Sequence, residues 1–387
     1  PHWRVTEKEA DRAIVKVPRQ SSQLDDQATS ELPIAEPCAC SDSTHKYDFC
    51  YHLPLNRTYT GRRFACSLLP FAKKLGVLET NYIEIERSSF PSPVFVTAAS
   101  ESHWSEEKRL ISTIQKYLPG QRIVFYDLGL SSASVNHVKT LCQVEYRKFE
   151  FENFPAYVKR LMEYRWKPII IAQSLTEFGA IWWMDSSVVW KKSDLNHVYQ
   201  LLRCRQNKNS SHYKLPVEST GRDPTWIESG WHKTKWRQSI LQCDKFAYLL
   251  QGWTGHGIFP ATHPHVYDYL PTSFEGLKRE TAKMFEAGFL LAVRTKEVME
   301  NVVKWYALCA LQQDCMAPPG ASLGCRFGSD RYSKYANCHR FDQSVVNLLL
   351  ANANSYDRYY YTSEIVDFFN IVRGSGGGKS PNRCSKR

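Results

Sequence analysis

The sequence predicts an α/β fold: a mostly parallel central sheet flanked by helices. Two observations carry this expectation. Short apolar runs alternate with helix-period segments between residues 93 and 190, as they do in β-α units. Several of those runs end in an acid or a small hydroxyl residue, which lines up one polar rim at the carboxyl ends of the strands, where ligands of such sheets bind. At 387 residues and 43% hydrophobic content, the chain is long enough for one large α/β domain or two smaller ones.

Residues 1–60 are polar, with clusters such as Ser21-Ser22-Gln23-Leu24-Asp25-Asp26. They read as a stem or linker pinned by cysteines near its end. Residues 93–100 read as a buried strand. Residues 106–117 read as a helix with Leu110, Ile111, Ile114 and Tyr117 on one face. A second strand is expected over 122–128, a short helix over 134–141 and a third strand over 144–151. Residues 154–164 and 168–178 read as helices and 180–190 as a fourth strand. The stretch 205–255 is less regular and holds Trp226, Trp231, His232 and Trp236. It reads either as an acceptor-binding insertion or as an excursion with a small aromatic core of its own. A strand over 285–293 and helices over 296–311 and 341–351 complete the body, 61–365. The tail, 366–387, is rich in Gly, Lys and Ser from Gly374 and is expected to be disordered.

The formal net charge is +11, but the basic residues are scattered. Lys191-Lys192 and 203–208 are too short and mixed to form a nucleic-acid stripe, so no nucleic-acid partner is expected. There are twelve cysteines and no CxxC pair, a pattern of disulfides rather than zinc. Two N-glycosylation sequons, Asn56-Arg57-Thr58 and Asn209-Ser210-Ser211, agree with a lumenal or extracellular home. No apolar run is long enough to span a membrane, and the expectation is a signal peptide or membrane anchor upstream of Pro1. A Walker-type phosphate loop and a GxSxG elbow are both absent.

Asp185 interrupts the apolar run 180–190, Ala-Ile-Trp-Trp-Met-Asp-Ser-Ser-Val-Val-Trp. A buried carboxylate is costly unless a cation or several donors meet it. It therefore either helps to hold a metal and a diphosphate or is satisfied by backbone N–H groups or an Arg. Glu286 and Asp342 interrupt apolar stretches in the same way. Three such acids in one cleft would suit a divalent cation that offsets charge on a departing diphosphate, with one carboxylate left to deprotonate a hydroxyl. Other readings stand beside these. Asp342 fits a first-turn helix acid, and Glu286 a partner for a buried Arg or Lys. His339, His256 and His263 read as metal ligands or as hydrogen-bonded structural residues.

Five segments occur in order: 95–100 (Phe-Val-Thr-Ala-Ala-Ser), 125–130 (Phe-Tyr-Asp-Leu-Gly-Leu), 183–187 (Trp-Met-Asp-Ser-Ser), 285–289 (Phe-Glu-Ala-Gly-Phe) and 339–344 (His-Arg-Phe-Asp-Gln-Ser). Together they resemble an invertebrate glycosyltransferase-like domain-of-unknown-function family grouped with the nucleotide-sugar transferases of the GT-A fold. The resemblance spans roughly residues 60–365. It implies a GT-A-like (Rossmann-like) catalytic domain that moves a sugar from a nucleotide-diphosphate donor, a UDP-sugar favoured, to a hydroxyl of a glycan or glycoprotein. It implies Mn2+ or Mg2+ on Asp185, with His339 or a water supplying a missing ligand. Thr97, Ala98, Ser100, Asp127 and Ser187 would surround the nucleotide. Asp342, Glu286 and Gln343 would be catalytic, Gln343 near the anomeric centre. The Asp-Gln opening of the last helix is similar to one in several retaining families, which favours retention. A Golgi or other secretory lumen and type II membrane topology are also implied. The sequence departs from the family's DxD pattern at Ser187, where the second acid would stand. Lys and Arg are the alternative neutralisers of the diphosphate, and a catalytically inactive GT-A-fold carbohydrate-binding protein is the alternative function.

Overall fold

The computed structural model describes residues 36–87, 90–207, 232–374 and 380–384. It opens on a small antiparallel pair, β1 (Ala39–Ser41) and β2 (Lys46–Asp48). Next come β3 (Val94–Ala99), β4 (Ile123–Asp127), β5 (Val144–Lys148), β6 (Ala180–Asp185) and β7 (Val188–Trp190). The later strands are β8 (Tyr248–Leu250), β9 (Trp253–Gly257), β10 (Lys283–Phe285), β11 (Phe289–Val293) and β12 (Phe369–Ile371).

Six strands form the central sheet in the order β5-β4-β3-β6-β11-β8. β5, β4, β3 and β6 run parallel, whereas β11 runs against both β6 and β8. The expected α/β class with a mostly parallel sheet is therefore what the chain adopts. β4 is buried along its whole length and β6 along all but its last residue, as strands covered on both faces require. The Trp104–Tyr117 helix packs Leu110, Ile111 and Ile114 into the core. Trp166–Phe178, Lys304–Leu311 and Asp342–Ala353 are mostly buried, and Lys304–Leu311 packs against the other two.

The reversal of β11 brings the site together. Because β11 is antiparallel to β6, its first residues lie at the rim where β6 ends. Phe289 pairs with Met184, and the Asp185 N–H donates to the Gly288 carbonyl at 2.7 Å. Gly288 also faces the Asp185 side chain: a Cβ there would lie 2.7 Å from Asp185 Oδ2. Only glycine permits that approach.

Several expected elements differ. The run 180–190 is two strands, because Ser186-Ser187 turns β7 out of the sheet to pair with β12. The run 285–293 likewise breaks at 286–288 into β10 and β11. Residues 154–164 form two 3-10 turns, Ala156–Lys159 and Leu161–Glu163, rather than a helix. Val158 is their single buried side chain, so no apolar stripe holds a helix there. The helix over 296–311 contains a π-turn at Met299–Val303.

The expected disorder of the tail does not hold over its described residues. Phe368 and Phe369 are buried, β12 pairs with β7, and Cys384 is bonded to Cys142. Two buried aromatic rings outweigh the Gly and Ser around them. Near the other end, Phe49, Tyr51 and Leu53 are buried, and Cys38–Cys50 and Cys40–Cys66 pin the segment. Cys204–Cys243, Cys309–Cys315 and Cys325–Cys338 complete six disulfides and leave no free cysteine. So many bridges mark an oxidising compartment. No helix among the described residues is long and apolar enough to cross a membrane. Trp226, Trp231 and the Asn209 sequon lie outside the described residues. His232 caps the Lys233–Gln242 helix, and Trp236 packs within it.

Candidate active site

A cavity of about 460 Å³ opens at the carboxyl rim of β3 and β6. Its base is an ionic triad in which Lys167 and Asp342 are buried and Asp185 is partly exposed. Lys167, near the start of the Trp166–Phe178 helix, is 3% exposed at its side chain. Its Nζ lies 3.0 Å from Asp185 Oδ1 and 2.8 Å from Asp342 Oδ2, and it donates to Asp185 Oδ2 at 3.1 Å. The Trp183 indole donates to Asp185 Oδ1 at 3.0 Å. Burial alone would pull the Lys167 ammonium down, but the charges of Asp185 and Asp342 outweigh it and raise its pKa. Burial pushes the Asp342 carboxyl up, and Lys167 opposes that push.

The third acid, Glu286, reaches the same cavity from the β10–β11 turn. Its N–H donates to the Gly252 carbonyl at 2.7 Å. Burial raises its pKa, and Arg373, at 3.6 Å from Oε1, pulls the other way. Asn347, fully buried, ties this turn to the Asp342–Ala353 helix. It accepts from Phe285 N–H at 2.8 Å and donates to the carbonyls of Phe285 and Gln343, both at 2.8 Å. The helix itself is entered through strain: Phe341 has φ 45° and ψ −115°, a costly conformation for a bulky side chain. That kink directs Arg340, Asp342 and Gln343 together into the cavity. Gln343 Nε2 is buried and has no protein partner, so it is a donor held ready for a ligand oxygen.

Of the expected site residues, Asp185, Asp342, Glu286, Gln343, Ala98, Ser100 and Ser187 line the cavity. Thr97, Asp127 and His339 do not. Thr97 points into the core, where its hydroxyl donates to Glu107 Oε2 at 3.0 Å; burial pushes the Glu107 carboxyl up to about 8. Asp127 is a loop cap. Its Oδ1 accepts from the Gly129 and Leu130 N–H groups at 2.7 and 2.6 Å, and its Oδ2 accepts from the Tyr146 hydroxyl at 2.8 Å. His339 is a buried structural residue. One ring nitrogen meets the Met316 carbonyl at 3.1 Å, the other accepts from His263 N–H at 3.2 Å, and burial pushes its pKa down to about 3. His256 and His263 also lie outside the lining, so none of the three histidines is placed to ligate a metal here.

These donors do not fit a divalent cation. Asp185 and Asp342 already share an ammonium, Ser187 offers no carboxylate, and both His339 nitrogens are engaged. Among the described residues the one group of His, Cys, Asp or Glu atoms close enough to share an ion is Cys38, Asp48 and Cys50, and its two cysteines form a disulfide. The expectation of Mn2+ or Mg2+ on Asp185 and His339 is not met by this geometry.

The lining residues with no expected role include Lys167, Arg340 and Arg373, and also His103 and Glu106. Lys167 had a faint signal, a lone cation ahead of Pro168-Ile169-Ile170-Ile171 in a helix otherwise bound for the core. Arg340 stands inside the 339–344 segment and was hidden by its acidic neighbour. Arg373 had none, since its segment reads as tail.

The family described as protein of unknown function (DUF1647) matches residues 37–172. That match covers β3, β4 and Lys167 but ends before Asp185, Glu286 and Asp342. No curated protein sequence matches the chain. Among solved structures, the chain is similar to the bifunctional glycosyltransferase WbbM in its apo form. Identity is 12% and the TM-score 0.30, over 71% of this chain and 38% of that one. It is also similar to the galactosyltransferase LgtC in complex with donor and acceptor sugar analogues, at 12% identity and a TM-score of 0.28, over 55% of this chain and 63% of that one. The chain thus spans less than two thirds of either, and at these scores the likeness carries no argument about activity.

Proposed function

We propose that the chain is a glycosyltransferase that moves a sugar from a nucleotide-diphosphate donor to a hydroxyl of a glycan or glycoprotein. One observation carries the reading: three acids from three distant segments, Asp185, Glu286 and Asp342, converge with Lys167 in one cavity at the carboxyl rim of the sheet. That rim is where α/β sheets hold nucleotides.

In this reading the bond from the anomeric carbon to the donor phosphate breaks, and its electron pair leaves with the diphosphate. The acceptor oxygen forms the new bond to that carbon. Positive charge builds on the sugar in between, and the excess of carboxylates around Lys167 stabilises it in a site partly shut from water. Glu286 accepts the acceptor's proton. It faces the cavity, it is not locked to Lys167, and burial has raised its basicity. Gln343 Nε2 donates to an oxygen of the donor sugar. Six disulfides and the exposed Asn56, whose Oδ1 accepts from the Thr58 hydroxyl at 2.7 Å, support work in a secretory lumen such as the Golgi.

The test is a panel of UDP- and GDP-sugars, with and without glycan acceptors, read as nucleotide release and product mass. One donor is expected to be consumed. Asp185→Asn should lower turnover by about 10²–10³-fold, the scale of a lost transition-state charge contact, with unchanged circular dichroism. No consumption of any donor, or an Asp185→Asn variant of full activity, would sink the proposal.

A further inference from the structure

The proposed reaction leaves a polyanionic diphosphate to be neutralised, and the cavity offers it side-chain cations but no metal site. Lys167 stands between Asp185 and Asp342, 3.0 and 2.8 Å from their oxygens, where it joins the two acids as a bridging ion would. A divalent cation placed on the same oxygens would face that ammonium at close range.

Two guanidinium groups line the same cavity from unrelated segments. Arg340 is half-buried. Its main chain is fixed by its N–H donating to Ser344 Oγ at 2.9 Å, and its side chain reaches the Leu323 carbonyl at only 3.4 Å. Arg373 is exposed, with Nη2 3.6 Å from Glu286 Oε1. Its backbone is not loose, because Val372 N–H donates to the Ser187 carbonyl at 2.8 Å, and Arg109 holds the carbonyls of Val372 and Gly374. Neither guanidinium has a short bidentate carboxylate partner, and the planar fork of Arg matches phosphate oxygens.

Resting on the transferase reading, we infer that the donor's diphosphate is bound without a divalent cation, its charge met by Arg340 and Arg373 while Lys167 holds Asp185 and Asp342 in place. The inference concerns binding, so it can be tested apart from turnover.

The experiment is calorimetric titration of the whole chain with UDP and with GDP, in EDTA and again in manganese. One nucleotide is expected to bind in EDTA about as tightly as in manganese. Arg340→Gln and Arg373→Gln should each weaken it by about ten- to a hundredfold, the scale of a lost charge-assisted hydrogen bond. Arg340→Lys should recover part of the loss, because it keeps the charge but not the fork. Binding that appears only with manganese would overturn the inference and leave the transferase standing. Binding in EDTA that ignores both arginine variants would overturn the assignment of the cations. Failure of both nucleotides in both buffers would overturn the inference and the transferase together.

Discussion

Asp127 and Asp185 end two strands of one parallel sheet, β4 and β6, with only β3 between them, and they are put to different uses. Each follows an apolar run and each precedes a turn. After Asp127 the chain runs Leu128-Gly129-Leu130, and Gly129 takes φ 125°, which folds two backbone N–H groups back onto the carboxylate. After Asp185 it runs Ser186-Ser187 into β7, and the carboxylate takes a lysine and an indole instead. One acid is spent on its own loop and on Tyr146 of the neighbouring strand. The other is left open to long-range partners. An acid at a strand end becomes chemically useful when its own turn does not satisfy it.

Breaking the cavity around the open acid should have the larger effects. Glu286→Gln, beside Asp185 in the cavity, should lower transfer by about 10²–10⁴-fold, the range for a lost general base. The wild-type rate should fall as pH drops through a midpoint above the ordinary glutamate value of 4.5, and the variant should lose that limb. A pH–rate profile unchanged in the variant would reassign the proton acceptor.

Lys167→Met leaves the buried Asp342 carboxylate without its ammonium and should destabilise the fold by about 3–5 kcal/mol at neutral pH. The sign with pH follows: burial makes Asp342 bind its proton more tightly folded than unfolded once Lys167 no longer opposes it, so stability returns as pH falls. Urea titrations at pH 7.5 and pH 5 check both the loss and its recovery.

Asp127→Ala sharpens the contrast from the other side. It removes two hydrogen bonds from its own loop and one from Tyr146 on β5 and should cost about 1–3 kcal/mol, with nucleotide affinity unchanged by calorimetry. A variant that folds well but loses nucleotide would return Asp127 to the binding site.

The sheet and its rim were legible because apolar runs such as Ile123–Tyr126 and Ala180–Met184 are interrupted by acids at their ends. Asp185, Glu286 and Asp342 stood out for the same reason, each sitting where burial would be costly without a partner, but that they meet was not legible, because long insertions separate them. Nor was what sits between them legible. Lys167 meets Asp185 across 18 residues and Asp342 across 175, and periodicity carries no information about contacts at that range. His339 looked like a ligand because its carbonyl and amide partners, Met316 and His263, are backbone groups that sequence does not mark. The turn at Ser186-Ser187 was missed because two serines between apolar residues break no alternation.

The pairing of β12 with β7 sets when the cavity can exist at all. Its walls include Ile371 and Arg373, which are synthesised some 180 residues after Asp185. A nascent chain that has already formed β3–β6 carries the Lys167–Asp185 half of the floor, but it lacks Asp342 and the wall over Glu286. Enclosure of the cavity therefore waits on β12, whose pairing with β7 brings Ile371 and Arg373 to its wall.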